Sequence, residues 1–502
     1  MPESTTKTAT KYLNFIDGEW VPAKSGDFFE NRNPAHANQV IGLFPKGGKA
    51  DVEAAVGAAR SAFDAWRKTP APVRGEILKR VGDLLLERKE TIARDMTREM
   101  GKVLAETRGD VQEGIDTAYY AMGEGRRLFG ETVPSELPNK FAMVVREPLG
   151  VAGIITPWNF PLAIPTWKIF PALLAGNTIV FKPASDVPLT ANHFVEALVD
   201  GGVPPKVVNL VHGGGGEVGN AIVEHRDVPV VSFTGSTAVG RGLAERCGRA
   251  LKRLSLELGG KNAQIVMDDA DLDLALDGAL WGAFGTTGQR CTATSRLILH
   301  EAIHDRFVDR LVERAERLVL GDGLDPKSQV GPLVNEKQLE AVAQYVEIGR
   351  AGGARLACGG GRATAGALAE GWFFEPTVFV GVTPSMRIAR EEIFGPVLSV
   401  LRVKDLDEAI AMLNDTDYGL SSSLYTRDVN AAFRAMRDIQ AGITYINGPT
   451  IGAEAHLPFG GVKETGNGHR EGGWTAYEIF TEQKTIYVDY SGRLQRAQID
   501  NR

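Results

Sequence analysis

From residue 143 onward, short β-branched and apolar runs alternate with helical segments, and this alternation constrains the fold more than any other feature. Val151-Ala152-Gly153-Ile154-Ile155, Asn177-Thr178-Ile179-Val180-Phe181, Val207-Val208-Asn209-Leu210-Val211 and Val230-Val231-Ser232-Phe233 read as buried strands. Pro229 stands at the entry of the last, where a missing N–H does least harm to a ladder. Segments around 163–175, 189–200 and 218–225 read as the intervening helices. Such alternation predicts an α/β fold with a parallel, doubly wound sheet and ligands at the carboxyl ends of its strands. A second alternating block follows residue 291. It has a strand at Arg296-Leu297-Ile298-Leu299, an amphipathic helix over 302–320, runs at Trp372-Phe373-Phe374 and 397–401, and a helix over 407–414. Upstream, residues 51–128 read as helices, with Ala55, Ala59, Phe63 and Trp66, then Ile77, Val81, Leu84 and Leu85, at helical spacing. The closing run Lys484-Thr485-Ile486-Tyr487-Val488-Asp489-Tyr490 alternates as a strand and, with 131–147, predicts a small β-flap. An exposed edge of that kind needs a partner, so the flap reads as an oligomer contact.

A chain of 502 residues is too long for one ordinary core, and two or three domains are expected. Its 43% hydrophobic and 24% charged content is that of a soluble globular protein. The net charge of −7, with basic residues scattered, argues against nucleic acid as a partner. No apolar stretch approaches the ~18 residues of a membrane span, and Met1-Pro2-Glu3-Ser4-Thr5 lacks the layout of a signal peptide. Cys247, Cys291 and Cys358 form an odd set without a CxxC pair. Neither a disulfide framework nor a metal site is expected, and a reducing cytoplasm is the natural compartment.

Three short motifs carry chemistry. Cys291 lies in Gly288-Gln289-Arg290-Cys291-Thr292, where a thiol can act as a nucleophile. A lone cysteine is more often a small buried hydrophobe; Arg290 and nearby backbone N–H groups would favour the thiolate. Cys247, on an apparent helix, and Cys358, in a glycine-rich turn, have no comparable setting. Glu257 sits between Leu256 and Leu258, ahead of Gly259-Gly260. It reads either as a solvated carboxylate or as one drawn into an apolar pocket, where its pKa rises and it becomes a base usable near neutral pH. Pro157-Trp158-Asn159-Phe160-Pro161 sets an amide donor between two prolines.

Two glycine-bearing segments compete for a phosphate. Gly214-Gly215-Gly216-Glu217-Val218-Gly219 matches G-x-G-x-x-G after a strand, but Glu224 and Asp227 fall too early for the expected ribose-binding acid. Phe233-Thr234-Gly235-Ser236-Thr237 ends a strand and opens a helix with capping hydroxyls. The second is preferred as a pyrophosphate platform, leaving Gly216 in a turn beside an adenine pocket. Lys182 and Ser185, after the strand 178–181, would lie over the sheet's carboxyl edge. An acid at 185 would repel a 2′-phosphate whereas serine can donate to one, which favours NADP over NAD.

Taken in order, these motifs resemble the aldehyde dehydrogenase superfamily over nearly the whole chain, from about Asn14 to Val488. The resemblance rests on Pro157–Pro161, Lys182–Ser185, Phe233–Ser236, Glu257–Lys261, Gly288–Cys291, Glu392-Ile393-Phe394-Gly395-Pro396 and Pro458-Phe459-Gly460-Gly461. It implies a Rossmann-type cofactor domain (1–130 and 149–259), a catalytic domain (260–475) and an oligomerisation flap with a tail (131–148 and 476–502). It also implies Cys291 as nucleophile, Glu257 as general base, and Asn159 with the Cys291 N–H as oxyanion hole. Ile155, Thr156, Pro157, Trp158, Lys182, Ser185, Gly216, Phe233, Gly235, Ser236, Val239, Leu258, Glu392 and Phe394 would contact NAD or NADP. Phe160, Trp167, Arg290, Thr292 and Phe459, with Tyr120, would line a substrate tunnel. Members that transfer the acyl group to coenzyme A lack the glutamate, so the resemblance implies the hydrolytic branch, acting as a homodimer or homotetramer. Trp167 stands where the succinic semialdehyde branch has an arginine. Residues 289–296, 452–459 and 490–496 look most like 2-oxoglutarate semialdehyde (2,5-dioxopentanoate) dehydrogenases, with Arg290 the cation for a distal carboxylate. The alternatives are aminoadipate semialdehyde, a broad range of aliphatic aldehydes, or a non-catalytic binding protein on the same fold.

Overall fold

The computed structural model describes residues 9–128 and 130–500. The Met1–Thr5 segment, read above for a leader, lies outside the described residues.

The first sheet has the order Arg253–Glu257, Val230–Thr234, Val151–Ile155, Thr178–Lys182, Val208–Leu210, Asn14–Ile16, Glu19–Val21. Its first five strands are parallel, and the N-terminal pair adds antiparallel. The chain winds outward from Val151–Ile155 through Thr178–Lys182 to Val208–Leu210, then returns to the other side of Val151–Ile155 at Val230–Thr234. Strand order therefore reverses between Ile155 and Thr234, and that crevice is where an open α/β sheet binds ligands. Both faces are covered. Lys49–Lys68 packs Val52, Ala55, Val56 and Ala59 against one side, while Ala71–Glu87, Leu104–Glu124 and Ala163–Ala175 build the apolar layer on the other. Asp110 fixes the start of Ala163–Ala175 by accepting the N–H groups of Leu162 and Ala163 at 3.3 and 2.7 Å.

The second sheet runs Arg355–Cys358, Thr377–Val380, Val397–Val403, Arg296–His300, Ala263–Val266, Ser421–Tyr425, Ile443–Ile446, all parallel except its first strand. The third joins Thr481–Asp489, Lys140–Pro148 and Glu131–Pro134 in the antiparallel flap expected from sequence. Residues 490–500 fold back on this flap: Gln495 donates to the Pro138 carbonyl at 2.7 Å and Arg496 pairs with Asp500.

Four expectations need correction. Trp372-Phe373-Phe374 is not a strand; Phe374 makes an isolated bridge to Arg362, and the ladder starts at Thr377 because Pro376 has no N–H to contribute. The helix set at 302–320 is His304–Glu316; Leu320 instead pairs with Val330. Residues 218–225 split into a π-helical turn, Gly215–Gly219, and one short turn, Asn220–Glu224. Cys358 ends the strand Arg355–Cys358 rather than occupying a turn.

Candidate active site

The site is lined by segments that follow strands of the first sheet and by loops of the second. The carboxyl edge of the first sheet supplies Asn159 just after Val151–Ile155, Ser236 just after Val230–Thr234, and Glu257 at the end of Arg253–Glu257. Cys291 comes from the opposite side, in the loop that enters Arg296–His300. Asn262 holds that loop, its amide donating to the carbonyls of Cys291 and Ala293 at 2.8 and 2.9 Å while Oδ1 accepts the Ser421 N–H at 3.0 Å. Ahead of the cysteine, Thr286 and Thr287 adopt left-handed φ values of 52° and 57°. This strained turn is latched by Glu106, which accepts the Thr286 N–H at 2.7 Å.

Cys291 forms part of the wall between two cavities, of about 220 and 70 Å³, that also share Thr234 and Leu258. The larger is bounded by Pro157, Trp158, Asn159, Gly235, Ser236, Gly259, Gln338, Glu392 and Phe394. Ser236 caps the helix Thr237–Arg249, accepting the Val239 N–H, so a helix N-terminus with its free N–H groups opens at the cavity. Thr234 Oγ1 is buried without a partner there, and Glu392 accepts the Gly260 N–H at 2.9 Å. The Asn159 side chain makes no hydrogen bond among the described residues. These unpaired donors and the exposed helix start fit the nicotinamide and phosphate portions of a dinucleotide. Gln338, unremarkable in an amphipathic helix, donates to the carbonyls of Ile393 and Phe394 at 3.2 and 2.8 Å and holds Phe394 across from Trp158, 5.3 Å between ring centres.

Of the expected cofactor residues, Pro157, Trp158, Gly235, Ser236, Leu258, Glu392 and Phe394 meet at this cavity. Ile155 and Phe233 lie in the core beneath it. Thr156 and Lys182 continue along the same carboxyl edge, Lys182 donating to the Pro183 carbonyl at 2.8 Å and Ser185 to that of Gly213 at 3.2 Å. Burial pushes the Lys182 ammonium down to about 8. Val239 is exposed on the first helical turn. Gly216 instead borders a separate depression beside Lys49 and Glu53.

The smaller cavity is a tunnel. Phe160, Trp167, Arg290, Thr292 and Phe459 all line it, as expected, while Tyr120 stands outside at its opening. Trp167 leans on Phe459 at 4.8 Å between ring centres. Glu257 lies in the tunnel wall with Oε1 unpartnered, and a side chain at Gly460 would place a Cβ 2.5 Å from that oxygen, which accounts for the glycine. Burial, and then the nearby Glu471, raise the Glu257 carboxyl well above its ordinary range, against the lowering pull of Lys168 and Arg470. Lys168 is fully enclosed, pairs with Glu471 and donates to Ser232 at 2.9 Å. Glu113, Ile164 and Glu471 complete a tunnel that sequence reading left unfinished.

The thiol departs from expectation. Arg290 is turned away from it: Nε donates to Thr286 Oγ1 at 2.8 Å, Nη2 pairs with Glu106 at 3.2 Å, and the guanidinium faces the Trp281 ring at 4.8 Å. Burial first, then the carboxyls of Glu257 and Glu392, push the Cys291 thiol up to about 12, and only the N–H groups of Thr292 and Cys291 oppose them. Burial and these carboxyls thus favour the protonated thiol. A positive charge arriving in the larger cavity is what would release the thiolate.

The aldehyde dehydrogenase family model matches residues 20–486. An α-ketoglutaric semialdehyde dehydrogenase of Bacillus subtilis is 42% identical over 95% of this chain and 98% of its own. An α-ketoglutarate semialdehyde dehydrogenase of Haloferax volcanii is 44% identical over 95% of this chain and 99% of its own. A solved structure of betaine aldehyde dehydrogenase from Staphylococcus aureus in complex with NAD+ superposes with a TM-score of 0.94, at 36% identity over 96% of each chain. With a cysteine between two cavities, the family model matched over residues 20–486, and these relatives along nearly its full length, the chain belongs to the aldehyde dehydrogenase family.

Proposed function

We propose that this protein oxidises an acidic semialdehyde, 2-oxoglutarate semialdehyde foremost, to the carboxylic acid with NADP or NAD. The observation that carries the reading is Cys291 on the wall shared by both cavities, with Asn159 on one side and Glu257 on the other. The Cys291 sulfur, once its proton has passed to solvent, attacks the aldehyde carbon as thiolate, forming a C–S bond and an oxyanion. Asn159 and the Cys291 N–H donate to that oxygen, a contribution of about 3–4 kcal/mol per donor. The C–H bond of that carbon then breaks as the oxyanion re-forms a carbonyl, leaving a thioester on Cys291; when bound, the nicotinamide would supply the two-electron acceptor for that hydride. Glu257 then takes a proton from water as the water oxygen attacks the acyl carbon; the C–S bond breaks and the acid leaves. Burial raises the proton affinity of Glu257 first, and the Lys168–Glu471 pair behind it adds opposing pulls.

The named relatives support the substrate, and the absence of an acid at position 185 supports NADP. We assign 1–130 and 149–259 to cofactor binding, 260–475 to catalysis, and 131–148 with 476–502 to a flap that pairs subunits into a dimer or tetramer. Exposed Val133, Phe141, Tyr487 and Val488 support the pairing. Three free cysteines support a cytoplasmic location. The test is kcat/KM with NAD and with NADP against aldehydes that carry or lack a terminal carboxylate. Preference for the acidic aldehydes supports the reading; equal use of neutral ones replaces it with a broad aliphatic specificity.

A further inference from the structure

One charged group in the tunnel has no part in the reaction above. Glu113 projects from Leu104–Glu124 into the tunnel wall, and its Oε1 is enclosed without a partner. It also borders the outer opening beside Ala453, so it stands at the end of the tunnel away from the thiol. Its neighbours are matched without it. Lys102 pairs with Asp110 at 2.7 Å, both side chains fully enclosed, and Arg290 pairs with Glu106 at 3.2 Å. Glu113 is the fifth member of a set whose other four charges cancel. Nη1 of Arg290, on the same wall, has no hydrogen-bond partner among the described residues.

We propose that Glu113 is a specificity residue, its carboxyl O–H and Arg290 Nη1 together holding the distal acceptor oxygens of the aldehyde, a carboxylate or a 2-oxo acid. This rests on the acidic-semialdehyde reading. A carboxyl with one oxygen enclosed and no cation of its own favours its protonated form. Burial, and then the neighbouring Asp110, push Glu113 up to about 8, against the pull of Lys102 and Arg290. Asp116 and Tyr120 on the same helix, Tyr445 on Ile443–Ile446, and Glu454 and His456 at the opening are the other titratable groups facing it. The proton makes a donor of a side chain that would otherwise repel an anion. Recognition is thus complete below this pKa and is lost as pH rises through about 8.

The test measures kcat/KM for 5-oxopentanoate, pentanal and 5-aminopentanal from pH 6 to 10, in the unsubstituted protein, Glu113→Ala and Glu113→Gln. The preference for 5-oxopentanoate over pentanal should fall about tenfold between pH 7 and 9.5 without substitution, the loss of one hydrogen bond to a charged group. Glu113→Ala should lower it by about tenfold at pH 7. Glu113→Gln keeps an N–H donor that does not titrate, so its preference should survive and stay level with pH. Thermal melting reports whether each variant folds; should the alanine variant not, the glutamine profile decides. A preference that neither substitution nor pH moves overturns the role of Glu113 and leaves the acidic-semialdehyde reading standing. No preference in the unsubstituted protein at pH 7 overturns both. Preferred use of 5-aminopentanal, lost in Glu113→Ala, would make Glu113 an ionised partner for a cation and overturn the proposal.

Discussion

The two cavities on either side of Cys291 are built from different materials. The larger cavity takes most of its lining residues from the ends of adjacent strands: Pro157 to Asn159 after one, Thr234 to Ser236 at the next, Leu258 and Gly259 after the third. Beyond the strand-end residues Thr234, Glu257 and Leu258, the tunnel is lined from five distant segments: Glu113, Phe160 to Trp167, Arg290 to Thr292, Gly452 to Phe459, and Glu471. Backbone at strand ends holds a constant ligand and tolerates little change. Side chains drawn from several helices and loops alter the bound aldehyde while leaving the chemistry in place.

Substitutions on each side should separate these functions, and only the shared wall should abolish the reaction outright. Cys291→Ala is expected to reduce aldehyde oxidation by about 10⁴-fold or more while cofactor binding, followed by fluorescence quenching, persists. Substantial remaining dehydrogenase activity would remove the nucleophile. On the cofactor side, Ser185→Glu should shift the NADP-to-NAD preference towards NAD by about 10–100-fold, through lost hydrogen bonding and charge repulsion at a 2′-phosphate. The order of aldehydes should stay the same. A changed aldehyde order would mean that the two cavities are not independent. On the tunnel side, Trp167→Ala removes a wall that leans on Phe459. The aldehyde KM should rise about three- to tenfold, with the cofactor KM steady.

The same contrast explains what the sequence disclosed. Strand-end motifs are local: Ser236 reads as a helix cap and Asn159 as an amide between prolines because neighbours in the chain decide their roles. The parallel sheets were legible for the same reason, since period and punctuation are written in each segment. Glu113, Asn262 and the Lys168–Glu471 pair were not. Asn262 and the Lys168–Glu471 pair act through partners tens to hundreds of residues away, and Glu113, a glutamate on a polar helix turn, looks solvated until the docked face is known. Arg290 misled for a related reason. Adjacency to Cys291 suggested an activating charge, but Glu106, 184 residues away, draws the guanidinium aside. Trp372-Phe373-Phe374 looked like a strand by composition, and Pro376 displaced the ladder.

The central claim is that Cys291 and Glu257 divide one oxidation into acylation and hydrolysis. Rapid mixing of Glu257→Gln with cofactor and aldehyde tests it most directly, with mass analysis of the quenched protein. The account predicts a burst approaching one reduced cofactor per active site, an acyl group on Cys291, and steady turnover slowed by about 10²–10⁴-fold. Undiminished turnover, or a slowed enzyme with neither burst nor acyl-cysteine, would contradict it.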